Sequence, residues 1–413
     1  MYEMEENLQR AVLAAVDLGE YDVEASLDEL EELARTAGAE VVAKVSQKRP
    51  SVDAATVVGG GKLREIADFC RDNNADILIF DHELSATQLR NIEKAVDCDV
   101  VDRTMLILDI FAQRARTREG RLQVELAQLK YRLPRLSGLG TALSRLGGGI
   151  GTRGPGETKL ESDRRHIRRR IDHLQDELEQ LERRRSHLRA RRQKDDVMAA
   201  AIVGYTNVGK STLLNTLTDA GVLAEDKLFA TLDPTARRLT LPDGRQILLI
   251  DTVGLVRRLP HHLVEAFKST LEEALYADVI LNVCDITAED VDAQLETTRG
   301  LLAELKVQET PVVTVFNKCD LVTGLPQNQE AHAVYISAKD GYGLDALLET
   351  VARELSVSQR RLRLLIPYDH ASLLSQIRVQ GKVMKEAYTP DGIETDALVD
   401  KKILPKVSPF IVS

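Results

Sequence analysis

Residues 199–218 read Ala199-Ala200-Ala201-Ile202-Val203, then Gly204-Tyr205-Thr206-Asn207-Val208-Gly209-Lys210-Ser211, then Thr212-Leu213-Leu214-Asn215-Thr216-Leu217-Thr218. The first run is apolar and short, as a buried strand is, and the last reads as a helix start. The middle run matches G-x-x-x-x-G-K-[ST]. Its glycines permit a loop whose amides converge on phosphate oxygens. Lys210 then reaches the β- and γ-phosphates, and the Ser211 hydroxyl ligates Mg²⁺. A P-loop between a strand and a helix predicts an α/β domain with a mostly parallel sheet and crossover helices.

Working outward, residues 246–250, 279–284 and 312–316 also read as buried strands, with 334–336 as a fifth. The stretch Asp251-Thr252-Val253-Gly254 follows the first of these. An aspartate at a strand end joins the magnesium shell, and the Gly254 amide senses the γ-phosphate, so the loop that follows is a switch. Asn317-Lys318-Cys319-Asp320 closes a later strand. The Asp320 carboxylate accepts from guanine N1–H and the N2 amino group together. Adenine offers no such donor pair and would leave the carboxylate unpaired, so the tetrapeptide selects GTP over ATP. Ser337-Ala338-Lys339 offers the Ala338 amide to guanine O6. The first switch lies between Ser211 and Asp251, and its candidate is Phe229-Ala230-Thr231-Leu232-Asp233-Pro234-Thr235. Thr231 is preferred over Thr235 as the hydroxyl that completes the magnesium shell.

Bulk properties bound the rest. A chain of 413 residues is too long for one ordinary core, so two or three domains are expected. Its 43% hydrophobic and 29% charged residues suit a soluble globular protein. A net charge of −10 argues against a uniformly nucleic-acid-coating surface, so any RNA partner must meet a local basic patch. Cys70, Cys98, Cys284 and Cys319 have no C-x-x-C spacing and read as reduced thiols. No signal peptide or membrane span is legible. The expectation is a cytoplasmic protein, monomeric, with no DNA partner and no stable membrane anchoring.

Residues 11–16, 40–45 and 77–80 read as strands, and 27–36, 62–70 and 87–96 as amphipathic helices, which predicts a small N-terminal α/β domain over 1–118. Over 119–196 the composition changes. Leu122, Leu126, Leu129 and Leu133 form one heptad seam; Ile167, Ile171, Leu174, Leu178 and Leu181 form another. Two apolar stripes predict an antiparallel helical hairpin, joined by a glycine-rich connection over 134–158. The nucleotide domain is expected over 197–358. A small C-terminal segment of strand–helix–strand character is expected over 359–413.

Three stretches carry a closer resemblance. Gly147-Gly148-Gly149-Ile150-Gly151-Thr152-Arg153 followed by Gly154-Pro155-Gly156-Glu157-Thr158-Lys159-Leu160-Glu161 resembles the linker signature of the HflX family. Leu228-Phe229-Ala230-Thr231-Leu232-Asp233 is similar to its first switch. Val58-Gly59-Gly60-Gly61-Lys62-Leu63 is similar to the glycine turn of its N-terminal domain. The resemblance covers roughly residues 10–355. It implies a GTPase that binds the large ribosomal subunit and its RNA and acts on stalled or hibernating ribosomes. It implies nucleotide contacts from Gly204, Tyr205, Thr206, Asn207, Val208, Gly209, Lys210 and Ser211; from Phe229, Ala230, Thr231, Leu232 and Asp233; and from Asp251, Thr252, Val253 and Gly254. The guanine contacts would be Asn317, Lys318, Cys319 and Asp320 with Ser337, Ala338 and Lys339. Magnesium would be held by Ser211 and Thr231, and Lys210, Thr231 and Gly254 would serve catalysis.

Leu255 stands where many Ras-like GTPases carry a water-orienting glutamine. A leucine neither donates to nor accepts from water, so intrinsic hydrolysis is expected to be slow until ribosomes stimulate it. In some related GTPases an asparagine at the position of Asn207 helps to hold K⁺. None of Arg237, Arg238, Arg257 and Arg258 is legible as an arginine finger, and most of them read as solvated or RNA-bound. Arg164, Arg165, Arg168, Arg169, Arg170, Arg183, Arg184, Arg185, Arg189, Arg191 and Arg192 crowd the second hairpin helix. They read either as phosphate contacts or as a solvated face interleaved with acidic residues. Two alternatives stand beside the leading reading: a ribosome-assembly GTPase like the Obg or Era groups, and a recruitment switch with little turnover.

Overall fold

The computed structural model describes all residues except 1–7, 137–154, 195–196, 219–228, 230–234, 259–262, 264–274, 306, 308–309, 325–332, 358, 401–402 and 413. The chain divides into two compact units. The first comprises 1–184, 225–233 and 253–271, and the second comprises 185–224, 234–252 and 272–413.

The first unit is built on a parallel sheet in the order β2-β1-β3-β4, from β1 (Gln9–Asp17), β2 (Ala39–Lys48), β3 (Ile77–Phe80) and β4 (Asp99–Asp102). Ala11 through Val16 are fully buried, as expected of a strand covered on both faces. Helix α1 (Val23–Thr36) buries Leu27, Leu30 and Leu33, and Asp22 caps it by accepting from the Glu24 and Ala25 amides. Helices α2 (Gly60–Asp72) and α3 (Ala86–Glu93) follow, the latter started by a Ser85/Gln88 capping box. Asp102 ends β4 and caps α4 (Arg103–Arg114) through the Met105 amide at 2.9 Å. All three predicted strands and all three predicted helices of this region are present.

Helices α5 (Arg118–Arg135) and α6 (Pro155–Lys194) carry the predicted seams. Leu122 of α5 and Ile171 and Leu174 of α6 are buried. Arg118 pairs with Glu177 at 2.6 Å and Arg170 with Glu125 at 2.7 Å, so positions rise along one helix as they fall along the other, and the two are antiparallel. The helix ends differ from expectation. Pro134 lies inside α5, one residue from its end, where little helix remains to be broken. Pro155 is the first residue of α6, where a missing N–H leaves no bond unmade. The glycine run over 137–154 lies outside the described residues.

In the second unit, six strands lie in the order β10-β9-β8-β5-β7-β6. They are β5 (Ala199–Gly204), β6 (Thr235–Thr240), β7 (Gln246–Asp251), β8 (Val279–Asp285), β9 (Val312–Asn317) and β10 (Ala333–Tyr335). All pairs are parallel except β6 with β7. The five predicted strands are found. The sixth, β6, was not foreseen because it is an edge strand with exposed Arg237 and Arg238 and a single buried residue, Leu239. Helices α7 (Lys210–Thr218), α8 (Val291–Glu304) and α9 (Leu344–Val357) complete the crossovers. The C-terminal segment is a three-stranded antiparallel sheet, β11 (Gln359–Ile366), β12 (Gly381–Thr389) and β13 (Gly392–Asp400), with α10 (Ser372–Gln380). Leu364, Ile366, Ile377, Ala397 and Val399 form its core. No described helix is long and apolar enough to cross a membrane.

Candidate nucleotide site

Three of the quoted motifs are stitched together by hydrogen bonds at the ends of β5, β9 and β10. The Asn317 amide group donates to the Val208 carbonyl at 2.8 Å, and its oxygen accepts from the Ala338 N–H at 2.9 Å. One side chain therefore fixes the P-loop against the last motif. Both P-loop glycines are sterically required. Gly204 has φ +145°, and a Cβ there would lie 2.2 Å from the Val283 carbonyl oxygen; Gly209 has φ +94°, and its Cβ would lie 2.3 Å from the Asn317 amide nitrogen.

Lys210 opens α7 and is buried. Its ammonium donates to the Gly204 carbonyl at 3.1 Å and to the Tyr205 carbonyl. Burial pulls it down to about 8, against the opposing pull of the Asp251 carboxylate. The Ser211 hydroxyl donates to Asp251 Oδ2 at 2.9 Å, and Asp251 is fully buried. Thr252 donates to the Ile202 carbonyl at 2.7 Å, which ties the start of the DTVG loop to β5. Lys318 adopts a left-handed φ of 66° and its ammonium pairs with Asp285 at 2.7 Å. The short turn Cys319–Leu321 follows, held by a bond from the Cys319 N–H to the Ile336 carbonyl at 3.1 Å, and Asp320 on it is exposed.

From Val253 the chain belongs to the first unit. Val253, Leu255 and Val256 are buried. Arg257 and Arg258 then meet an acidic cluster of the N-terminal sheet. The Arg257 N–H donates to Glu29 at 3.0 Å. Arg258, at a left-handed φ of 49°, pairs with Asp81 at 2.5 Å and lies over the Tyr21 ring at 4.0 Å. Asp81 has no exposed side-chain surface, and it also accepts from Arg103 at 2.8 Å and Ser26 at 2.9 Å. Arg103 in turn reaches Glu29 at 3.1 Å and the Arg257 carbonyl at 3.2 Å. Burial raises the Glu29 carboxyl, and the Arg103 guanidinium opposes the shift. Phe229, of the candidate first switch, is buried edge-on against Phe111 with ring centres 4.5 Å apart.

Residues 24–112 match the family described as "GTP-binding GTPase N-terminal", residues 114–192 match "GTP-binding GTPase Middle Region", and residues 199–318 match "50S ribosome-binding GTPase". The chain is 52% identical over 413 residues to "GTPase HflX" of Caldanaerobacter subterraneus subsp. tengcongensis, covering 100% of this chain and 96% of the relative. It belongs to the HflX family. A second HflX, of Lacrimispora saccharolytica, is 54% identical and covers 98% of this chain and 96% of its own. The HflX of Escherichia coli K12 is 44% identical over 89% of this chain and 87% of its own. Among solved structures, a GTP-binding protein of Sulfolobus solfataricus in complex with GDP covers 85% of this chain and 99% of its own, at 25% identity and a TM-score of 0.46. As a member of the HflX family, the chain is a P-loop GTPase that binds guanine nucleotide and hydrolyses GTP.

Within this HflX chain, Gly204 to Ser211, Asp251, Thr252, Asn317 and Ala338 are brought together by the bonds above. Ala230, Thr231, Leu232 and Asp233 lie outside the described residues. Sequence reasoning missed the roles of Arg257 and Arg258: both are engaged with the acidic cluster, not solvated. Arg237 and Arg238 are exposed, as read. Asp81, Arg103 and Glu29 were not singled out at all. Their signal is charge at strand and helix positions that otherwise bury apolar side chains, and it names no partner.

Proposed function

We propose that this HflX GTPase works on the large ribosomal subunit, splitting or rescuing stalled ribosomes, and that ribosome contact is what speeds its hydrolysis. The observation that carries this reading is the face of α6. Arg165, Arg168, Arg169 and Arg184 are exposed and form no ion pair among the described residues, on a chain whose net charge is −10. Unpaired cations on an otherwise acidic protein suit RNA phosphates. The description of residues 199–318 as a ribosome-binding GTPase supports the same partner.

At the nucleotide, the P-loop amides and Lys210 would hold the β- and γ-phosphates. A phosphate beside Lys210 would add negative charge that favours the ammonium form against its burial. Asp320 and the Ala338 amide would read guanine, and the Gly254 amide would meet the γ-phosphate. The Ser211 hydroxyl and the Asp251 carboxylate place oxygen donors together as Mg²⁺ requires; Ser211 and Thr231 would ligate the ion, with Asp251 reaching it through water. When bound, the ion neutralises charge on the β- and γ-phosphate oxygens. Water attacks the γ-phosphorus in line, the bond to the β-phosphate oxygen breaks, and Lys210 offsets the charge that develops there. The buried Leu255 offers nothing to orient that water. The missing order is supplied by the partner.

The test is GTP turnover and co-sedimentation with purified large subunits. Turnover is expected to rise at least about tenfold with saturating subunits, a barrier change near 1.4 kcal/mol. The Arg168→Glu, Arg169→Glu double variant should bind subunits with a salt slope shallower by about 1.5–2 while GDP affinity stays unchanged. Turnover indifferent to subunits, with no co-sedimentation in either nucleotide, removes the proposal. Potassium use at Asn207 belongs to the same reading. It predicts faster hydrolysis in potassium than in sodium chloride, and equal rates would dismiss it.

A further inference from the structure

The four cysteines include one pair that the nucleotide site does not use. Cys70 lies in the last turn of α2 and is buried; Cys98 immediately precedes β4 and is half-buried. The sheet brings them together. Ile77 is in register with Asp99, the Asp99 N–H donates to the Asp76 carbonyl at 3.0 Å, and the Ala75 N–H donates to the Cys70 carbonyl at 2.9 Å. The turn after Cys70 and the residue before Asp99 are therefore neighbours by backbone pairing alone. Cys70 belongs to the buried apolar cluster of this sheet, and Cys98 packs against that same cluster. Both line one cavity of about 300 Å³ with Arg71, Asn74, Asp76 and Asp97. Among the described residues no group of three potential metal ligands exists, so the pair is not a metal centre.

We propose that Cys70 and Cys98 form a reversible dithiol–disulfide site, oxidised by a hydroperoxide that enters this cavity. The closeness of the two thiols lowers Cys70 and raises Cys98, and burial raises Cys98 further, which favours Cys70 as the thiolate. The Cys70 thiolate attacks the distal oxygen of the peroxide and the O–O bond breaks. The leaving oxygen takes up the proton released by Cys70, giving water (from hydrogen peroxide) and a sulfenic acid on Cys70. The Cys98 sulfur then attacks the Cys70 sulfur. The S–O bond breaks, and the proton of Cys98 leaves with the hydroxyl as a second water. Overall two thiols and one hydrogen peroxide give one disulfide and two waters. A small dithiol reverses the oxidation. The cross-link ties the end of α2 to the entry of β4 and closes the chain between them into a loop, which restricts the unfolded chain.

The full-length reduced protein is treated with hydrogen peroxide, its remaining thiols are alkylated, and intact mass and peptide map are read. The expected result is a loss of two hydrogen atoms in mass, two alkylatable thiols where there were four, and a linked peptide pair carrying Cys70 and Cys98. Reduction should restore all four, and the oxidised form should melt several degrees higher than the reduced one. In Cys98→Ser protein the sulfenic acid on Cys70 should persist long enough to be trapped by a 1,3-dione. In Cys70→Ser protein Cys98 should resist the same dose. Links through Cys284 or Cys319, stable oxygen addition without a cross-link, or four free thiols at a dose that oxidises the denatured protein each overturn the proposal.

Discussion

An Asp320→Asn protein is expected to bind GDP and GTP about a hundredfold or more weaker and to gain affinity for xanthine nucleotides. The carboxylate offers acceptors only, and guanine presents two adjacent donors, N1–H and the N2 amino group. Hydrogen bonds to a charged group contribute about 1.5–3 kcal/mol each, so losing this pair reaches or exceeds the roughly 2.8 kcal/mol that a hundredfold represents. The amide makes matters worse by turning a donor toward the N2 amino group. Xanthine carries an oxygen there, and the same amide then becomes complementary. The fold should not change. Asp320 is exposed, and its turn is set by the left-handed Lys318 and the bond from Cys319 to Ile336. Competition binding of GDP against XDP decides it. Guanine affinity within threefold of the parent, with no gain for xanthine, would show that another group reads the base.

The second large effect is expected at Asp81. Its carboxylate is fully enclosed and shared by Arg103, Arg258, Ser26 and Tyr21. Asp81→Ala leaves Arg103, itself only 3% exposed, with Glu29 as its remaining carboxylate. Removing one partner of a buried ion pair costs about 3–5 kcal/mol. Urea unfolding should show a loss of that order, and amide exchange should rise over residues 253–258, which lose the Asp81 anchor and keep the bonds of Arg257 to Glu29 and Arg103. Arg258→Ala should cost much less, because Arg258 is about a third exposed and Asp81 keeps Arg103. GTP turnover should change in both variants, because Arg258 lies four residues beyond the Gly254 amide. A stability loss below about 1 kcal/mol for Asp81→Ala would mean the cluster relaxes into water, at odds with its burial.

Much of this fold could be read before any coordinates. Short unbroken apolar runs such as Ala11 through Val16 and Ala199 through Val203 read as strands covered on both faces, and the heptad seams named both hairpin helices. The nucleotide motifs were legible for a different reason. Phosphate and guanine recognition fix residue type and spacing locally, so Gly204, Lys210, Ser211, Asp251 and Asn317 could be named singly. Two kinds of feature stayed hidden. Strand β6 carries too little apolar alternation, because an edge strand with charged residues resists unwanted pairing and so does not look like a strand. Asp81, Arg103 and Arg258 depend on partners far apart in the chain, and charge alone does not say which opposite charge it will meet. Pro134 misled in a third way: a proline signals a helix end, yet its position within the last turn is a matter of one residue.

The bond between Asp81 and Arg258 spans 177 positions. A ribosome adding about 5–20 residues per second needs roughly 10–35 seconds to make the second partner after the first. During that interval the nascent N-terminal sheet holds Asp81 and Glu29 against Arg103 alone, one cation for two carboxylates of which Asp81 is fully enclosed. The early module can collapse around its apolar strands, yet its charge balance closes only when the segment after Gly254 has emerged. The segment after Gly254 is thus also the last piece of the first unit to be synthesised, so the early module reaches its charge balance only after β5, β6 and β7 of the second unit have been made.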